Sequence, residues 1–587
     1  MNRERDLSNS SIDAFTVELI VEGLSAAARE MFVTLHRTAK SPIIYEVLDF
    51  ACGIYSPNGA LIAQDNGVVG FLGTLYFAVK EVRQKFENQT DPLDIFITND
   101  PWTSNGSHLS DVNLVMPVFV DGRVQAYTVN KAHWTEVGGK YPGSWSASTT
   151  DVFQEGLQFP CIKLFRKGVL DESVVDVIAA NVRVPDDTLG DMHAQAAALK
   201  VGAARVVELV SKHGLPAFEA AIDIHLARGR KRGQETLAHL PRGEFEIEDL
   251  LENNGVDGAP IPVRAKITIS DDGLLVDLSG NPPPVETSVN GTVVGVTAQC
   301  RTIFKLIGDP HSPPNEGEFE RVFCKAPPGT IFTAPKPAAV SIHWEYKSIL
   351  TDMVLQVLAA HIPERIPAGH QLSTCASIVG GKNADGEYWL LVEPSLGGWG
   401  AAIDEDGQSG QHPMGNGETY NTPVEVIETR YPIRVERFGF DVEHPAGAGR
   451  FRGGFGVVKE YRVLAPEGAT VTATFGRHHR PPWGMAGGQA GSPNRIEIIR
   501  RGQNEIALAT GTLAEFVLAE GDRVRFVTAT GGGWGDPYER DPERVAGDVK
   551  NGFVTIDAAR GIYGVVIDKA SHRVDNEATA RARKRWV

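Results

Sequence analysis

The sequence predicts a multi-subdomain α+β protein, with long helices in its N-terminal half and antiparallel β-structure dominating its C-terminal half. Three observations carry this. Helical periodicity runs long near the start and again across 187–232, strand-and-turn patterning takes over from about residue 370, and strands do not alternate regularly with helices, which disfavours a doubly wound parallel sheet. The 587 residues exceed what one hydrophobic core organises. Soft boundaries near 235 and 365 give an N-terminal α+β region (1–235), a middle α+β region (236–365) and a glycine-rich C-terminal β region (366–587) with short terminal helices.

Taken in order, residues 14–39 read as a helix: Leu19, Ile20, Leu24, Ala27, Met31 and Leu35 recur at helical spacing and Asp13 offers an N-cap. Val47–Tyr55 reads as a strand, Pro57-Asn58-Gly59 as a turn before Ala60–Gln64, and 68–84 as a helix with a glycine-rich entry. Residues 93–98, 112–120 and 123–130 read as strands, the last two joined by an Asp121-Gly122 hairpin turn. Helices are expected at 172–182, 187–232, 291–307 and 347–361, β-structure across 243–287 with a turn at Asp271-Asp272-Gly273, and short helices and a strand over 540–563.

Composition narrows the function. The chain carries 57 basic and 74 acidic residues, a net charge of −17, which argues against nucleic-acid binding. The clusters Arg228–Lys231 and Arg581–Arg585 read as solvated helix ends. Five scattered cysteines with no CxxC spacing indicate a reduced, cytoplasmic chain. No apolar run approaches the roughly 20 residues of a membrane span, and Met1–Asp13 is polar rather than a signal peptide.

The most informative stretch is Asn99–Asp111, a polar loop between the apolar runs Ile95–Ile97 and Val112–Val120. It ends in His108 and, three residues on, Asp111; His133 follows at the end of the next strand pair. Two histidines and a carboxylate gathered at neighbouring strand ends suit a divalent cation, and a second carboxylate is expected from Asp49, which interrupts an apolar strand, with Glu46 in reserve. That donor set suits Zn, Mn or Fe(II), with a position left for water or a substrate oxygen. A pair of hydrogen-bonded loop histidines is the other reading of the same spacing. Glu136, three residues past His133, is a candidate to orient a ligand or act as general base. The glycine runs Gly397–Gly400, Gly447–Gly454 and Thr528–Pro537 match no phosphate-binding motif and read as tight turns. Arg477-His478-His479-Arg480 is either an anion or partner contact or a solvated turn. No GxSxG elbow supports covalent serine catalysis.

Asn99-Asp100-Pro101, Gly106-Ser107-His108-Leu109-Ser110-Asp111-Val112, Ala132-His133, Val137-Gly138-Gly139, Pro142-Gly143-Ser144 and Gln154-Glu155-Gly156 together resemble the hydantoinase B/oxoprolinase family. The resemblance continues through Asn315-Glu316-Gly317, Gly397–Ala401, Asn421–Glu425, Gly447–Gly454, Gly531–Pro537 and Tyr563–Val566, from about residue 10 to 567. It implies a B-type subunit of an ATP-dependent cyclic amide hydrolase, in a hetero-oligomer with an A-type chain that binds ATP. The alternatives it carries are a subunit of a ketone carboxylase of the acetone or acetophenone type, and a non-catalytic partner chain. By the same resemblance the metal ligands fall on Asp49 (or Glu46), His108, Asp111 and His133, with His133 and Glu136 in catalytic roles. The sequence departs from the family pattern at Trp134, where many relatives carry a second histidine, and at Glu136, often aspartate, which bears on substrate choice.

Overall fold

The computed structural model describes residues 12–584 apart from 72, 253, 256 and 257, so the reading of the N-terminus applies to residues that, up to 11, lie outside the described part, as does Arg585. Helices and antiparallel sheets are mixed along the chain, as expected for an α+β protein. The chain forms two compact units. The first runs to Ile247 and adds Arg264–Lys347 and Gly415–Tyr420; the second comprises Glu248–Val263, Ser348–Met414 and the chain from Asn421. The middle region expected at 236–365 is thus shared between them.

The first unit is built on a seven-stranded sheet. Its strands are β1 (Phe50–Tyr55), β2 (Leu61–Asn66), β3 (Ile95–Thr98), β4 (Asp111–Val120), β5 (Arg123–His133), β6 (Ile162–Arg166) and β7 (Val169–Leu170), in the order β2-β1-β5-β4-β3-β6-β7. Every neighbouring pair is antiparallel. Asp121 and Gly122 turn the β4–β5 hairpin with φ of 50° and 73°, the left-handed pair that matches strand twist in a two-residue loop.

Helices cover both faces of this sheet. They are α1 (Ala14–Thr38), the single turn α2 (Pro42–Tyr45), α3 (Leu75–Lys85), α4 (Glu172–Asn181), α5 (Pro185–His213) and α6 (Leu215–His239). Asp13 caps α1 by accepting from the Thr16 backbone N–H at 3.0 Å, and the apolar stripe Val17, Ile20, Leu24, Ala28, Met31 and Leu35 is buried. Successive β5 residues point to opposite faces. Asn130 donates to the Gln195 carbonyl of α5 at 2.8 Å, whereas Lys131 reaches the Thr74 hydroxyl at the start of α3 at 3.4 Å. His133 therefore shares the α3 face with Lys131.

Several expected elements differ, among them the helix expected over 68–84, which begins only at Leu75 after a short 3-10 turn at Val69–Phe71. The helix across 187–232 is two helices, because Gly214 sits at φ 83° and Pro216 opens α6. The strand expected over Val47–Tyr55 starts at Phe50; α2 precedes it, and Leu48 at φ 64° turns the chain, so Asp49 stands just before the strand rather than interrupting it. Two further helices are α7 (Val293–Ile307) and α8 (His343–Ala359), the latter starting four residues earlier than expected.

The second unit is β-rich. Strand Ala376–Lys382 pairs antiparallel with both Tyr388–Glu393 and Ala469–Thr474, and strand Arg523–Val527 pairs antiparallel with both Val457–Val463 and Arg495–Ile499. A shared core includes Val379, Leu391, Tyr461, Val471, Ile496, Leu518 and Phe526. The glycine runs interleave here as backbone on backbone: Gly398 donates to Ala529 at 2.9 Å, Gly454 to Trp399 at 2.8 Å, Gly531 to Gly454 at 2.8 Å, and Gly453 to Gly447 at 2.8 Å. A Cβ on Gly453 would overlap the Gly531 carbonyl. Over 540–563 the helices form (Pro542–Lys550, Ile556–Tyr563) but the expected strand does not; an isolated bridge between Ile567 and Val574 lies beyond that span.

Candidate metal centre

The loop Asn99–Ser110 joins β3 to β4 and is rigid for reasons its composition supplies. Asp100 accepts from the backbone N–H groups of Trp102 and Thr103 at 2.9 and 3.2 Å, and Gly106 closes the turn at φ 67°. Asn99 donates to the carbonyls of Leu109 and Leu157 and accepts from the Phe159 N–H, while Asn105 donates to the His108 carbonyl at 2.6 Å. The Lys131 ammonium, fully buried, donates to Ser107 Oγ at 2.7 Å and to the Asn105 carbonyl at 3.1 Å.

This scaffold places His108 and Asp111 beside the sheet end. His108 Nε2 lies 3.1 Å from Asp111 Oδ1. Asp111, first residue of β4, is the direct cross-strand partner of His133, last residue of β5. The His108 and His133 rings sit 4.8 Å apart, centroid to centroid. Asp49 joins through its backbone, its carbonyl accepting the His133 N–H at 3.0 Å, and its carboxyl lies within electrostatic reach of Asp111 and Lys131.

Sequence reasoning missed a further histidine. His343, first residue of α8, packs its ring 4.8 Å from that of His108, with Nε2 3.9 Å from Asp111 Oδ2. Nothing local signals it: it comes from a helix far along the chain and joins the loop only through tertiary packing. Lys131 and Lys347 were also unassigned. Both are buried, and Trp344 walls the cluster edge-on to His108 at 5.7 Å.

The electrostatics follow from burial. Burial works against ionisation of Asp111, but His108, Lys131 and His133 around it hold its carboxyl well below the usual range. Asp49 goes the other way: enclosure and the neighbouring Asp111 charge push it well above. Burial and His108 pull His133 down to about 3, so its imidazole is neutral. Burial, with Lys131 nearby, brings Lys347 down to about 7, and burial brings Lys131 down to about 8.

This donor set fits a divalent cation. The Nδ1 atoms of His108, His133 and His343 are all buried without a hydrogen-bond partner, a costly state in a packed interior unless the nitrogen has another use. Neutral imidazoles and paired carboxylates are the ligand chemistry of Zn, Mn and Fe(II).

Glu136 is engaged elsewhere. Both its oxygens are taken by Arg183, one by the backbone N–H and the other by the guanidinium at 2.7 Å, so it anchors the loop after β5 instead of presenting a free carboxylate. Glu46 follows α2 as its C-cap and shows no bond to the cluster. The Arg477–Arg480 segment is tied within the second unit: Glu252 accepts the backbone N–H groups of His478, His479 and Arg480, and Arg477 pairs with Asp352.

A buried histidine–carboxylate cluster at one end of an antiparallel sheet, in a chain of two units, is the class of protein the geometry defines. Residues 13–537 match the hydantoinase B/oxoprolinase model, and the chain belongs to that family. It is 30% identical to a putative D-/L-hydantoinase B-type subunit of Pseudomonas sp., over 98% of each chain. It is 29% identical to the caprolactamase beta subunit of Pseudomonas jessenii, over 97% of this chain and 99% of that one. Among solved structures, the ATP-dependent caprolactamase from Pseudomonas jessenii superposes with a TM-score of 0.89 at 27% identity, covering 98% of this chain and 100% of the other. No helix among the described residues is long and apolar enough to cross a membrane.

Proposed function

We propose that this chain is the B-type subunit of an ATP-dependent cyclic amide hydrolase, acting with an A-type subunit that binds ATP. The observation that carries this reading is the buried cluster of His108, Asp111 and His133 beside Asp49, with Nδ1 of His108, His133 and the adjoining His343 held without partners, in a chain similar throughout to a hydantoinase B-type subunit and to the caprolactamase beta subunit.

A ring amide resists hydrolysis because resonance leaves its carbonyl a poor electrophile. In the proposed sequence the partner subunit transfers the γ-phosphoryl group of ATP to the amide oxygen, which converts that oxygen into a leaving group. Water then adds at the activated carbon, the C–N bond of the ring opens as the nitrogen takes up a proton, and the acyl phosphate left behind is hydrolysed by a second water to carboxylate and phosphate. Asp49, His108, Asp111 and His133 would hold a divalent cation, which when bound supplies Lewis acidity to water or the substrate oxygen. Lys131 keeps the ligand loop in register through Ser107 and Asn105. The ammonium groups of Lys131 and Lys347 place positive charge beside a phosphorylated substrate, and Trp344 with Trp145, ring centroids 5.1 Å apart, excludes bulk water from that side.

The test uses the complex assembled with its A-type partner, ATP, and either a panel of cyclic amides or a ketone with bicarbonate. Amide opening without bicarbonate, abolished in His108→Ala while assembly is retained, is the expected result. Acid formation that depends on bicarbonate would replace this reading with a carboxylase, and turnover that survives His108→Ala would remove the metal assignment.

A further inference from the structure

We propose that His343 is itself a ligand of the divalent cation, so that this chain closes its site with a third histidine delivered by a helix N-terminus. The proposal rests on the metal reading above and adds a ligand to it.

Three observations converge. The first is distance. The ligand-capable atoms of His108, Asp111 and His343 all lie within 4.8 Å of one another, near the ~3–4 Å separation of atoms that share one ion through bonds of about 2.1 Å. The gap is informative as it stands: His343 Nε2 and Asp111 Oδ2, 3.9 Å apart, are too far for a hydrogen bond and close enough for a common ion.

The second is satisfaction. His343 Nδ1 is buried and has no hydrogen-bond partner, as is true of Nδ1 of His108 and His133, so no bond to the protein at Nδ1 accounts for the ring standing with Nε2 toward Asp111. A histidine placed for packing alone would be expected to turn one ring nitrogen toward a carbonyl or hydroxyl. Here three imidazoles surround one carboxylate, and His108 stands between the other two, 4.8 Å from each ring.

The third is presentation. Glu155, fully buried, accepts the backbone N–H groups of Val340 and Ser341 at 2.9 Å each, and the Ser288 carbonyl accepts the Ile342 N–H at 2.9 Å. Those bonds fix the backbone immediately ahead of His343. Trp344 then stands edge-on to both His108 and His343, at 5.7 and 5.4 Å, which restricts the ring to the side facing Asp111. Glu155 is thereby a positioning residue for His343. A third imidazole makes the donor set nitrogen-rich, which favours Zn(II), Fe(II) or Co(II) over Mg(II) and Ca(II).

The experiment titrates the metal-free full chain with Co(II) and follows affinity by chelator competition and geometry by the visible d–d spectrum. Wild type is compared with His343→Ala, His343→Asn and His108→Ala, and thermal melts of the metal-free proteins check folding. The expected result is a loss of at least about 10-fold in affinity for both His343 variants, a changed Co(II) spectrum, and metal-free melts like the wild type. Counting imidazole nitrogens on wild-type Co(II) by X-ray absorption needs no variant: three support the proposal and two overturn it. Wild-type affinity and spectrum in the folded His343 variants also overturn it. Should wild type bind no Co(II), Zn(II) or Mn(II), the metal reading itself falls, a result separate from binding that ignores His343.

Discussion

The polar loop Asn99–Ser110 and the glycine runs of the second unit look alike on paper, both dense in residues that bring backbone and polar groups to a ligand. Their hydrogen bonding separates them. Around the loop, Nδ1 of His108, His133 and His343 is buried without a partner, whereas the side chains of Asn99, Asn105 and Ser107 are bonded. In the glycine runs the amides of Gly398, Gly454 and Gly531 are each spent on a carbonyl of another run, that of Gly453 on Gly447 of its own run, and those of Gly532 and Gly533 on the carbonyls of Gly369 and Gln489. Several buried unpartnered nitrogens gathered around one carboxylate are what a ligand would satisfy, whereas backbone amides already paired with carbonyls mark architecture. The glycines serve close approach: segments that share amides and carbonyls at this spacing have no room for a Cβ.

The largest effect should come from the architectural side. Gly453→Ala places a methyl group on the Gly531 carbonyl, a backbone atom that cannot rotate away. The expected loss is about 3 kcal/mol or more, at or beyond the upper end of overpacking costs, read as a drop in the urea midpoint, with Co(II) affinity in the still-folded fraction unchanged. A variant that folds normally but loses affinity for ATP complexes or substrate would break the comparison, since the glycines would then be a cradle.

Glu155 tests the boundary between the two kinds of group, because one oxygen is bonded to Val340 and Ser341 while Oε2 is buried without a partner. Burial pushes its carboxyl up to about 7 against the lowering by the Ser341, Val340 and Thr149 donors. Between about 4.5 and 7 the unfolded chain has lost this proton while the folded chain keeps it, so the folded state binds more protons and its stability falls as pH rises. Above 7 the loss is complete, at most about 3 kcal/mol. Glu155→Gln keeps an acceptor and cannot ionise. The stability of wild type relative to this variant should therefore fall between pH 5 and pH 8, measured by urea unfolding at each. A difference that is flat or rises with pH would show that Glu155 is ionised throughout.

What could be read from the sequence follows the range of the interactions. Asp13 as a cap and Asp121-Gly122 as a hairpin turn were legible because their partners lie within a few residues. His108, Asp111 and His133 were legible because adjacent antiparallel strands bring their ends together, which the hairpin already dictates. Asp49 was named for a wrong local reason: it is not inside a strand, and the left-handed Leu48 that sets it at the sheet end is not a residue type that announces such a conformation. His343 was out of reach, since no periodicity connects the first turn of α8 to a loop more than two hundred residues earlier. The same holds for Arg477–Arg480, whose partners Asp352 and Glu252 are set by tertiary packing.

The smallest effect is expected at Glu136, which the sequence nominated as a general base. Its carboxylate is fully buried and bonded at both oxygens by Arg183. It is therefore on the architectural side although it stands only three residues from His133. Glu136→Gln retains an oxygen for the Arg183 N–H and gives up the charge on the other, so turnover of the assembled complex should change by less than about 10-fold. Removal of a general base costs roughly 100- to 10,000-fold. Arg183→Ala is the informative companion: it leaves a buried carboxylate without its cation, and its cost of about 3–5 kcal/mol should appear as instability. If Glu136→Gln folds like wild type yet loses turnover by 100-fold or more, then a fully bonded carboxylate is doing chemistry, and hydrogen-bond satisfaction no longer separates the site from the scaffold.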